Sequence, residues 1–183
     1  MMLSLLLFVG AASVPAGFQP VDDALMLYAD GAIYCDSPDH ENRTCAATST
    51  LIANVDGAVT IESLVPINND PPVAIRSTNR LRIEGNGLCA VITESEINGM
   101  RITVDGEVRD DKEFADLLQL FRSEMGQIVL NKKSCSFAFR KGNSFYETIT
   151  FDGVEMPEMA GEFAMLDADS GYRLHTEDAL LEE

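Results

Sequence analysis

Apolar and polar residues alternate at a spacing of two along much of the chain. Val59, Ile61 and Val65 do so within 58–65, and Met100, Ile102 and Val104 within 100–104. In 80–84, Leu81 and Ile83 lie between Arg80, Arg82 and Glu84. This spacing turns one face of a strand to a core and the other to solvent. Shorter strands are expected at 25–28, 73–77 and 88–92, with a weak last pair at 163–166 and 172–174. A Thr- and Ala-rich stretch, 44–53, is joined to 58–65 through Asp56-Gly57, a hairpin signal because the turn needs positive φ. A second hairpin is expected from 134–140 and 145–151 around Lys141-Gly142-Asn143. In it Cys135, Phe137 and Phe139 share one face, and Phe145, Ile149 and Phe151 another.

One segment has the other period. Phe114, Leu117, Leu118, Phe121 and Met125 stand at helical spacing, which predicts an amphipathic helix over 110–125. Asp110 is its expected cap, Asp111 and Glu113 suit its dipole, and Gly126 is its expected stop. Thr93-Glu94-Ser95-Glu96 has the spacing of a capping box, with only a short helix expected because Gly99 follows. Together these elements predict an α+β fold. It would be a largely antiparallel sheet of about seven to nine short strands, with the single main helix packed on one face. One internal echo, Ile102–Gly106 against Ile149–Gly153, is read as strand–Asp-Gly grammar occurring twice.

The N-terminus changes the picture of where this domain works. Leu3 and Leu5 to Val9 form an apolar run followed by Gly10, Ala11, Ala12 and Ser13. That run is too short to cross a bilayer and has the form of a secretory signal, although no Lys or Arg precedes it. Cleavage is expected after Ala16. Residues 17–176 then form one domain, and 177–183 an acidic tail. The expected location is secreted or periplasmic, and no later run is long enough to span a membrane. Four cysteines in an exported chain imply two disulfides, and Cys35–Cys45 with Cys89–Cys135 is the pairing expected here.

Charge excludes some partners. The net charge of −17 repels nucleic acid and anionic lipid. Neither role is expected. The partner is an unknown protein or small molecule.

Candidate chemistry is sparse. There are two histidines, His40 and His175, and the chain lacks G-x-S-x-G, G-x-G-x-x-G, G-x-x-x-x-G-K-[ST] and H-E-x-x-H. Asp36, Asp39, His40 and Glu41 form the best metal-like cluster, yet their spacing fits no loop signature, and a polar loop clipped by Cys35–Cys45 is the preferred reading. Asp167 to Gly171 begins like a calcium loop but puts Tyr172 where glycine is needed. Asn42-Arg43-Thr44 is a glycosylation sequon. No catalytic residue, metal ligand or cofactor is assigned. The expected role is an exported, non-enzymatic binding or structural domain. The alternatives are a small secreted hydrolase using carboxylate acid/base chemistry and a protease inhibitor presenting the 35–45 loop.

Overall fold

The computed structural model describes residues 15–56, 58–110 and 112–176. Residues 1–14, which hold most of the expected signal, together with Gly57, Asp111 and the expected tail 177–183, lie outside the described residues.

The chain begins with β1 (Gln19–Pro20) and a 3₁₀ segment, Ala24–Gly31. Four strands of the main sheet follow: β2 (Ile33–Asp36), β4 (Ala47–Val55), β5 (Ala58–Asn69) and β6 (Pro72–Glu84), with the short β3 (Thr44–Cys45) between the first two. Next come β7 (Gly87–Val91), helix α1 (Glu94–Gly99), the hairpin β8 (Arg101–Val104) and β9 (Glu107–Arg109), and helix α2 (Lys112–Val129). The last part holds β10 (Lys133–Lys141), β11 (Ser144–Phe151), β12 (Val154–Glu155), β13 (Gly161–Leu166) and β14 (Arg173–Leu174).

The sheet is not open. Strands β2, β4, β5, β6, β7, β10, β11 and β13 pair in that order, each antiparallel to the next, and β13 returns to β2 through Met165↔Tyr34 and Phe163↔Asp36. The result is an eight-stranded up-and-down barrel. This corrects the α+β expectation of a helix laid on an open sheet. Alternation fixes which face of a strand is buried but not which edges meet, and two long-range contacts close the ring. They are β13 on β2, and β7 on β10 with Cys89 opposite Cys135. Closure removes the exposed edges an open sheet would carry.

The long hairpin supplies a second correction. The segments 73–77 and 80–84 are one strand, β6, paired with β5 over nearly its whole length. That hairpin outgrows the barrel. Arg82 to Glu84 pair with β7 inside the ring, whereas Val73 to Arg76 pair with β8 outside it. The overhang forms its own core of Ile67, Val73, Ile75, Met100, Ile102 and Leu118. Phe114, Leu117 and Phe121 of α2 pack on that core, while Met125 reaches a further cluster with Ile97, Val129 and Phe151. The helix therefore joins the overhang to the barrel. It runs through Gly126 to Val129, past the expected stop.

Local signals explain the turns. Thr93 caps α1, with Glu96 returning the hydrogen bond as a full capping box. The carbonyls at the far end of α1 are met by Arg122 of α2, which donates to Asn98 O at 2.7 Å and Met100 O at 2.6 Å. Asp105-Gly106 and Asp152-Gly153 both have positive φ and make two-residue hairpins, β8–β9 and β11–β12. The internal echo is thus one turn type used twice.

Two other expectations fail. Residues 25–28 are 3₁₀ helix, with Ala24 and Tyr28 packed against Val59, Ile61 and Leu88. The segments 163–166 and 172–174 do not pair. The first is the closing strand β13, and Arg173–Leu174 runs parallel to β3. Among the described residues no helix is long and apolar enough to cross a membrane.

Candidate functional site

Following the register around the ring, one set of alternate residues faces inward. It includes Tyr34, Ser49, Ile61, Asn79, Leu81, Leu88, Ser136, Glu147 and Phe163. The opposite set carries Arg80, Arg82, Glu62 and Glu162 and faces out. Cys89, Cys135, Phe137 and Phe139 belong to this outer set. The inner surface is mixed, since hydroxyls and an amide lie among aliphatic side chains.

Glu147 is the focus of that interior. Tyr34 Oη donates to its Oε2 at 2.7 Å, and Ser136 Oγ donates to its Oε1. Both carboxylate oxygens therefore have a donor from the barrel wall. Burial pushes the Glu147 carboxyl above the ordinary range; the two hydroxyls oppose that shift, and Asp36 adds to it. Burial also raises Asp36, whose Oδ1 accepts from Ser37 Oγ at 3.0 Å. The phenols of Tyr28 and Tyr34 are pushed up strongly, first by burial and then by the Glu147 charge.

Aromatic rings run through the barrel beside this carboxyl. Tyr28 lies over Tyr34 (6.4 Å between centroids), Tyr34 over Phe163 (4.7 Å), and Phe163 over Phe145 (5.2 Å). A void of about 220 Å³ adjoins Tyr28, Tyr34, Ser49, Asn79, Ser134 and Glu147. A smaller one, about 20 Å³, lies on the other side of Glu147, towards Ala24 and Phe163. No Lys, Arg or His lines either void. No known family, characterised protein or solved structure matches the chain.

Of the larger hollows, two of about 610 and 700 Å³ lie on the outside. The first sits beside the disulfide loop against Asp39, Arg173 and His175, and the second at the barrel mouth against Asp22, Arg140 and Phe145. Their size is less telling than the chemistry of the interior, because neither presents a carboxyl desolvated as Glu147 is.

The residues singled out by sequence lie elsewhere. Cys35 and Cys45 are bonded (S–S 2.02 Å) and fully buried, as are Cys89 and Cys135 (2.16 Å) to nearly the same degree. Between the first pair the loop is exposed but folded on itself. Asp39 and Thr44 exchange backbone hydrogen bonds, and Asp39 Oδ1 accepts from the amides of Glu41 and Asn42. Those hydrogen bonds hold the Asp39 carboxyl below the usual range. His40 Nδ1 lies 2.6 Å from Tyr172 Oη, so its ring is turned to the C-terminal segment and not to Asp36. Among the described residues no three His, Cys, Asp or Glu side chains come together as a metal site. Asn42 of the sequon is exposed, and its amide donates to Asp39 Oδ2 at 2.6 Å.

Glu147, which the sequence reading does not single out, has a signal in the sequence. It stands two residues from Phe145 and two from Ile149, on the face of β11 that sequence assigns to the core. A charged residue in an apolar file of a strand is the signal that finds it.

Its raised pKa has a consequence for stability. The folded protein holds the Glu147 proton more tightly than the unfolded chain, where Glu titrates at about 4.3. Stability must then fall as pH rises from that value through the folded one. Glu147→Gln keeps the shape and removes the titration. Urea midpoints of both proteins across this range are expected to diverge, with wild type losing ground to the variant as pH rises. A pH-independent difference between them would contradict the raised pKa.

Proposed function

We propose that this is an exported binding protein that holds a small molecule inside its barrel and does no chemistry on it. The observation that carries the reading is the void beside Glu147, Tyr34 and Ser136. An eight-stranded barrel has an interior just wide enough to be filled by side chains or to hold one small ligand. Here the filling is incomplete, and the unfilled part carries the polar groups. A few convergent polar groups in a largely apolar pocket are what fixes a ligand's orientation. The signal-like N-terminus and the two disulfides support an exported location, secreted or periplasmic.

The hydrolase reading retains one supporting observation, the raised carboxyl of Glu147 with Asp36 on the same inner surface. Against it, no second carboxyl lines the void beside Glu147, and Asp36 borders neither void. The inhibitor reading loses support from the shape of the 36–44 loop, which is turned back on itself and offers no extended strand to a protease cleft.

Native mass spectrometry of protein purified without denaturation tests the proposal. The expected spectrum shows a small molecule retained by wild type and lost from Ser134→Phe, which fills the void. Circular dichroism of that variant confirms that it folds. A wild-type protein that carries nothing, and whose melting temperature responds to no member of a small-molecule panel, would defeat the reading. Robust turnover in a broad hydrolase screen would defeat its non-catalytic part.

A further inference from the structure

We propose that the molecule held in the barrel is a small protonated amine, its ammonium group paired with Glu147 and its hydrocarbon part lying along Leu81, Leu88 and Ala90. This rests on the binding reading above and names the chemical class of the ligand.

The first argument is charge. Glu147 accepts from Tyr34 and Ser136, so the barrel wall is arranged around a carboxylate. No cationic side chain lines the adjoining voids, and Asp36 adds a second acidic group on the inner surface. Glu147 is half-buried, and a carboxylate drawn partly out of water without a cation beside it is costly; an ammonium entering the void supplies one. An anionic ligand would meet Glu147, Asp36 and a net charge of −17.

The second argument is hydrogen bonding. An ammonium has three donors and no acceptor. The void offers oxygen acceptors on Ser49, Ser134 and Asn79 besides Glu147. The Tyr34 and Ser136 hydroxyls are spent on Glu147, while Ser134 and Asn79 can donate as well as accept, so what separates the amine from a neutral acceptor is its charge. The third argument is the rings. Tyr34 is stacked between Tyr28 and Phe163, but the ring of Tyr28 at the end of that file also borders the void, and aromatic rings attract cations. As to size, a cavity of about 150 Å³ accommodates benzene, so one of about 220 Å³ takes a single ring with a short tail.

Binding moves a proton. Where the free protein holds Glu147 as the acid, the incoming ammonium leaves the carboxylate paired and sends the Glu147 proton to the buffer. The groups facing Glu147 are Tyr28 from the 3₁₀ segment, Tyr34 and Asp36 from β2, and Ser136 from β10. The two phenols stay protonated, so the released proton comes from the carboxyl pair.

Calorimetric titration with 2-phenylethylamine and 2-phenylethanol, which have equal numbers of non-hydrogen atoms, provides the test. The amine is expected to bind about tenfold or more tighter than the alcohol, a difference of about 1.4 kcal/mol. In Glu147→Gln the preference for the amine over the alcohol should vanish. At mildly acidic pH the wild-type amine enthalpy should vary with the buffer's ionisation enthalpy, which reports proton release without any variant. Equal binding of amine and alcohol overturns the amine class and leaves the binding reading standing. Amine binding that survives Glu147→Gln places the amine on the acidic exterior and also overturns it. If neither probe binds wild type and native mass spectrometry finds nothing retained, the binding reading itself has failed.

Discussion

Phe163→Ala is expected to lower the stability of the protein by about 3–5 kcal/mol, the usual range for removing a buried Phe ring. Phe163 is 3% exposed. Its ring lies between Tyr34 at 4.7 Å and Phe145 at 5.2 Å, so its loss breaks the aromatic file in the middle. The backbone around it is as constrained as the side chain. Phe163 pairs with Phe145 on one edge of β13 and with Asp36 on the other, at the seam where the end of the meander meets its beginning. Collapse cannot fill the space, because the residues around it belong to three different strands of a closed ring. A domain with a total stability of about 5–15 kcal/mol would lose a large fraction of it. Urea denaturation followed by circular dichroism measures the change. Val154→Ala, at a position 65% exposed, is the control and should stay within about 0.5 kcal/mol of wild type. A loss below about 1 kcal/mol in Phe163→Ala would mean that the ring file does not hold the closing strand.

Much of the local structure was legible because it depends on neighbours in sequence. The Asp-Gly turns, the Thr93–Glu96 capping box and the face of α2 all follow from spacings of one to four residues. What sequence concealed is the interior of the barrel. A core that is apolar throughout announces itself by alternation, but here the inward positions of β4, β5, β6 and β10 include Ser49, Ser63, Ser77, Asn79, Ser134 and Ser136. Two of these bond across the wall, Ser49 Oγ with Ser63 Oγ at 2.7 Å. In β10 the pattern even misleads. Its conspicuous apolar file, Cys135, Phe137 and Phe139, is the outer face, and Ser134, Ser136 and Ala138 point inward. The outer file is covered by local packing. Phe137 lies over Gly87, where an added Cβ would come within 2.7 Å of the ring, and Phe18 packs on Tyr146 beside Phe139. Polar inward residues weaken the fold signal at the very places where they create a candidate site, so fold and function were hidden together.

The second large effect is expected at the other seam. Replacing both Cys89 and Cys135 by alanine should cost about 4 kcal/mol, from the entropy of closing a loop that long in the unfolded chain. The bridge joins residues 46 apart, and that interval contains α1, the β8–β9 hairpin and α2. In the unfolded chain it removes more freedom than the Cys35–Cys45 bridge, whose separation of 10 corresponds to about 3 kcal/mol. In the folded protein Cys89 and Cys135 stand directly opposite each other, among the five residue pairs that join β7 to β10. The alanine variant keeps those backbone pairs, so it should still fold to the same barrel with the same far-UV spectrum. The cost then lies in the unfolded state, and a second observable follows. Without the cross-link the denatured chain expands, exposing more surface, and the urea m-value should rise as the midpoint falls. Both alanines are needed together, because a lone partner thiol would exchange with the Cys35–Cys45 bridge. A midpoint and slope equal to wild type would show that the cross-link does not constrain the unfolded chain. A lost far-UV spectrum would instead place its contribution in the folded barrel, where β7 is the strand that joins the long hairpin to the C-terminal half of the ring.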